Sequence, residues 1–109
     1  MVSKLDFNTI KKQYFEITLN DTEQTKLHLL TPTKRQMSEL GDALSMVGDE
    51  LTFENVNTLY EIVAKIMSRN KELHTVTGEQ LSDLLDYEDL TFFINKYAEF
   101  IAALVKEKN

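Results

Sequence analysis

The apolar positions of this chain follow one rhythm before Pro32 and another after it. From Tyr14 to Leu19 they alternate, with Phe15, Ile17 and Leu19 on one side and Tyr14, Glu16 and Thr18 on the other. That is the two-residue period of a half-buried strand, in a stretch rich in aromatic and β-branched residues. Lys26 to Leu30 reads as a second strand, with Leu27 and Leu29 opposed to Lys26 and His28. The polar run Asn20 to Gln24 is the turn between them, and the whole predicts an antiparallel hairpin. A lone hairpin is marginally stable, so its apolar face must cover something else, a helix. Residues 1–12 are mixed in character and read as an irregular lead-in.

After Thr31, Pro32 and Thr33 the spacing changes to three and four. Pro32 cannot donate to a ladder and suits the start of a helix, and Thr33 with Gln36 has capping-box spacing. Helix one is predicted to run to Val47, with Met37, Leu40, Leu44 and Val47 as its buried stripe and Gly48 to stop it. Helix two starts near Thr52. Phe53, Val56, Leu59 or Tyr60, Val63, Ile66 and Met67 carry its period. Arg69 and Lys71 put positive charge at its end, where Asn70 can take a left-handed turn.

Helix three is short, with Thr77 and Gln80 at capping-box spacing and Leu81, Leu84 and Leu85 as its face. Asp86 reads as the cap of helix four, with Glu88 and Asp89 in its first turn. That helix, Tyr87 to Lys106, has the most sustained period in the chain. Leu90, Phe93, Ile94, Tyr97, Phe100, Ile101, Leu104 and Val105 form its stripe, and Phe92, Ala98, Ala102 and Ala103 lie off it. So many aromatics on one helix serve either a core or an interface. The expected architecture is α+β, mainly α. One hairpin-plus-helical-bundle domain spans 13–106, with 107–109 as a tail.

Composition narrows the class. The chain has 109 residues, which fits one domain, and its 42% apolar and 28% charged residues are ordinary for a globular protein. No cysteine is present, so disulfide and thiolate chemistry are excluded. No run of 18 apolar residues exists, and the N-terminus lacks the basic-then-apolar pattern of a signal peptide.

The net charge of −6 is uneven: residues 1–35 hold six Lys/Arg against four Asp/Glu, and residues 36–109 hold six against fourteen. Glu39 to Glu61 and Glu72 to Asp89 contain no basic residue. An acidic surface repels phosphate backbones, which argues against nucleic acid, and membranes are not expected either. These acids serve solubility or a basic protein partner.

Candidate chemistry is sparse. Gly41, Gly48 and Gly78 are isolated and form no phosphate loop, and His28 and His74 have no metal-ligand pattern around them. Glu88 and Asp89 are adjacent and do not share a helix face, and Asp86 with Asp89 suits a helix start better than an acid/base pair. The serines are in no nucleophile elbow, and Asp49 and Glu50 do not match a calcium loop. We expect no catalytic residue, no cofactor and no metal.

The order of these features resembles the tail assembly chaperones of long-tailed phages and prophages of Gram-positive bacteria. The stretch YFEITLNDTEQTKLHLLTPTKRQ is similar to that family's strand pair leading through an L-x-L-x-P-P-T segment into a helix; here Thr31 stands where the first proline is common. Ile66 to Lys71, followed by Thr77 to Leu85, resembles its helix ending in an R-N element and a short acidic-leucine helix. Tyr87 to Ile101 resembles its closing helix, with Phe93 or Ile94, Tyr97, Phe100 and Ile101 at the patterned positions.

The resemblance covers residues 12–105. It implies a protein of the bacterial host cytoplasm that binds the tape-measure protein and keeps it soluble while the tail tube protein polymerises around it. Such a protein is absent from the mature virion, and its gene often yields a longer frameshifted form. A groove between helices with a charged rim suits an amphipathic client helix. The candidate contacts are Phe92, Tyr97 and Phe100 on helix four and Tyr60 on helix two. A homo-oligomer is left open. Two other classes remain: a small structural tail or head–tail connector protein retained in the virion, and an acidic host-directed inhibitor.

Overall fold

The computed structural model of the chain describes residues 3–48 and 52–107. Strands β1 (Phe15–Thr18) and β2 (Lys26–Leu29) pair antiparallel, with Phe15 opposite Leu29 and Thr18 opposite Lys26. Their turn is closed by Asp21, whose carboxylate accepts the backbone N–H of Thr25 at 2.8 Å and its hydroxyl at 2.6 Å. Gln24 takes a left-handed φ of 50° there. As the alternation predicts, Leu27 and Leu29 are buried and Leu19 with them, while Phe15 and Ile17 are half-buried against the same core.

Four helices follow: α1 (Lys34–Val47), α2 (Phe53–Ser68), α3 (Gly78–Leu84) and α4 (Tyr87–Glu107). Each start is fixed by a side chain that accepts an otherwise unpaired N–H. Thr33 caps α1 through Gln36, Thr52 caps α2 through Asn55, and Thr77 caps α3 through Gln80. At α4 the capping is reciprocal: Asp86 accepts the N–H of Asp89 and Asp89 accepts that of Asp86, both at 2.9 Å. An aspartate thus plays the part that glutamate has in the capping box. The hairpin and the four helices close around one core in which Leu29, Val63, Leu81, Leu90, Ile94 and Tyr97 are fully buried.

The stretch after α2 binds the two parts together. Asn70 bridges to Leu29, the N–H of Leu30 donates to Arg69 O and the N–H of Lys71 to His28 O, so this short stretch edges β2 on the side away from β1. The Asn70 side chain is only 3% exposed. Its amide N–H groups donate to Met67 O and His74 O, each at 2.7 Å, and its carbonyl accepts the N–H of His74. Ser68 and Val76 exchange two further hydrogen bonds. Glu72 accepts the backbone N–H of His28 and its ring. These bonds, the backbone one first, hold the Glu72 carboxyl below its ordinary value.

Several sequence expectations change. On α1 the buried residues are Leu40 and Ala43, whereas Met37 is 50% and Leu44 40% exposed. The stripe is rotated by about one position because α1 packs on α2 and α4 along the side that the small Ala43 presents. Phe53 sits in the first turn of α2, ahead of the packed region, and is exposed. Val105 is exposed too. Asn70 is a buried hydrogen-bonding centre with no left-handed φ; Leu73 carries the positive φ of that turn, 59°. Gly48 ends α1 in a right-handed conformation, φ −89°. Helix α4 continues to Glu107, into the expected tail. Asp49 and Glu50 lie outside the described residues.

Candidate functional site

Helix α4 sorts its aromatic residues by face. Phe93, Tyr97 and Phe100 all turn toward Phe15 of β1, with ring centroids 6.2, 5.8 and 5.4 Å away. Their offset and edge-on packing is the arrangement that aromatic quadrupoles favour. Tyr97 is fully buried and its hydroxyl donates to Leu30 O at 2.8 Å. It is a core residue, which corrects its place among the partner contacts. Phe100 is half-buried, and much of its ring is used on Phe15 and Tyr97. Tyr60 is half-buried as well; its hydroxyl donates to Leu85 O at 2.6 Å and so closes the end of α3. Burial, with the nearby Asp86 and Asp89 carboxylates, raises its pKa.

Phe92 differs from these. It is 66% exposed, one step round the helix from the core stripe. Beside it runs a groove of about 340 Å³ between α4 and the hairpin, lined by Phe15, Ile17, Leu85, Phe92, Phe93 and Lys96 among others. Sequence pattern located Phe92 but not its neighbours, because Ile17 reads as an ordinary strand-core position and the groove needs hairpin and helix to be placed together.

The groove is apolar with charges at its ends. Asp89 lines it near the start of α4, where Asp86 and Glu88 are also exposed. Lys96 lies along its wall with its ammonium 5.5 Å from the centre of the Phe92 ring, and pairs with Glu99 at 3.4 Å. The one basic residue of the groove is therefore matched locally, and the surplus charge is negative. Among the described residues no strand pairs with the outer edge of β1.

Other concave regions carry less. A cleft of about 690 Å³ between α1, α2 and the start of α3 is lined by Gln36 and by charges of both signs, Arg35, Glu39, Glu61, Lys65 and Glu79, and Lys65 pairs with Glu39 at 3.3 Å. Nothing there pairs a nucleophile with a base. His28 stands between Glu16 and Glu72 on the hairpin surface. Among the described residues no three His, Asp or Glu side chains converge as a metal site, and no helix is long and apolar enough to cross a membrane. No protein-family model, curated protein or solved structure matches this chain.

Proposed function

We propose that this chain is a phage tail assembly chaperone, a binding protein and not an enzyme, that holds segments of the tape-measure protein in the host cytoplasm. Client identity rests on the resemblance of residues 12–105 to that family. The observation that supports a binding role is the Phe92 groove: an apolar trough, open to solvent, with an acidic end. An amphipathic client helix would lay its apolar stripe along Phe92 and Ile17 and turn basic residues toward Asp86 and Asp89. Tyr97 acts indirectly, by fixing α4 against the hairpin.

The test is co-expression with the large helical tape-measure protein of the same genome. Soluble recovery of that protein is expected only when the chaperone is present. Phe92→Asp is expected to reduce recovery strongly, whereas Leu73→Asp leaves it unchanged. Leu73 is also exposed, at 90%, but is not part of the groove. Equal recovery with and without a folded chaperone refutes the reading.

One observation favours a second reading. The open edge of β1 would let the hairpin extend a neighbour's sheet, as in a tail or head–tail connector subunit that stays in the particle. Finding the chain in purified virions by mass spectrometry would select that reading.

A further inference from the structure

Residues 3–14 form an arm with no strand or helix, only a turn in which Asp6 accepts the N–H groups of Asn8 and Thr9. The arm carries three large apolar side chains in the open: Leu5 is 70%, Phe7 73% and Ile10 38% exposed. Water-facing side chains of this size this close together are unfavourable unless something covers them. The arm is also basic, with Lys4, Lys11 and Lys12 against Asp6 alone. The Phe92 groove complements the arm on both counts, being apolar along its wall and negative at its end.

The arm does not lie on its own groove, since none of its residues lines it and Phe7 faces solvent. The molecule as a whole is elongated. The long dimension is 58 Å against 32 and 20 Å, and the radius of gyration of 15.3 Å exceeds the roughly 13 Å of a compact chain this long.

We propose that the arm of one copy docks in the groove of a second copy. Leu5 and Phe7 pack against Phe92 and Ile17, and the arm's lysines face Asp86, Glu88 and Asp89. The contact is heterologous, arm to groove, so repetition generates a ring or a filament unless two copies exchange arms reciprocally. The arm and the client helix would take the same Phe92 and Ile17 surface and are mutually exclusive occupants of it; the inference rests on the arm and the groove alone and does not depend on what the client is.

Sedimentation of the chain by itself provides the test. Wild type is expected to self-associate, and Phe7→Asp and Phe92→Asp are each expected to weaken association about tenfold or more, the loss of about 1.4 kcal/mol. Both residues are exposed, so circular dichroism should report an unchanged fold. Mixing the two variants should restore a dimer, because one supplies an intact arm and the other an intact groove. The chain has no cysteine, so a second measurement is clean. Phe7→Cys mixed with Phe92→Cys should give a disulfide-linked dimer on mild oxidation. A wild type that stays monomeric, a mixture that stays dissociated, or cysteine variants that cross-link no more when mixed than each does alone would overturn the proposal.

Discussion

Tyr97 carries a hydroxyl into the middle of the aromatic cluster, where it needs an acceptor. Leu30 O supplies one at 2.8 Å, and Arg69 Nε donates to the next carbonyl, Thr31 O, at 2.9 Å. The strand-to-helix connection is thus held from α4 and from the end of α2 at once. Burial lifts the pKa of Tyr97 from 10.0 to about 12, while Arg69 pulls the other way. The unfolded chain releases this proton near pH 10 and the folded chain keeps it to about pH 12. In that window the native state binds more protons, so stability falls as pH rises through it, by about 2–3 kcal/mol for a shift of this size. Tyr97→Phe should cost about 1–2 kcal/mol at neutral pH through the lost hydrogen bond. It should also flatten the alkaline decline. Urea denaturation of both proteins from neutral to strongly alkaline pH measures both effects. An equally steep alkaline decline in the variant would place the proton loss elsewhere.

Among the elements, the irregular stretch from Arg69 to Thr77 does as much organising as any helix. Asn70 supplies two donors and one acceptor inside the protein, matched to Met67 O, His74 O and the His74 N–H. Asn70→Ala leaves these groups buried and unpaired, and should destabilise by about 2–3 kcal/mol. Asn70→Asp should be worse at neutral pH, because a buried carboxylate would face two carbonyl oxygens it cannot donate to. The order wild type, Ala, Asp in denaturation midpoint checks this; an Asp variant as stable as wild type would rule out the network.

That network also marks the limit of sequence reading. The hairpin, four helices and the caps at Thr33, Thr77 and Asp86 follow from local periodicity and short-range side-chain chemistry, and were legible. Asn70 reads as a left-handed helix end in the sequence because a buried amide and a left-handed turn have the same signature in one dimension. The buried face of α1 differs from the predicted stripe because Met37, Leu40 and Leu44 fit the helical period as well as Leu40 and Ala43 do. Only the positions of α2 and α4 decide between them. Tyr97 and Phe92 differ by five positions on one helix, and the periodicity marked Phe92 as off the core stripe. What lay beside it depended on where β1 came to rest.

At the scale of the whole molecule, charge acts on self-association in two opposed ways. Each chain carries −6, and two such bodies separated by their middle dimension of 32 Å repel by roughly 5 kcal/mol in salt-free water. Screening cuts this to roughly 2 kcal/mol at about 0.01 M salt and to about 0.1 kcal/mol at about 0.15 M. The arm's lysines and the groove's Asp86, Glu88 and Asp89 attract, but each exposed pair contributes only about 0.2–1 kcal/mol at contact. Short-range pairs survive moderate salt better than a 32 Å repulsion does. Apolar contact between Phe7 and Phe92 is not weakened by salt at all. Arm docking should therefore be weakest at the lowest ionic strength and strengthen toward about 0.15 M. Beyond that it should decline only slightly as the local pairs are screened. Sedimentation equilibrium across that range gives the dissociation constant at each point. A steady loss of association from the lowest salt upward would mean that charge pairing, and not burial of Leu5 and Phe7, holds the copies together, and the arm's apolar residues would then need another partner.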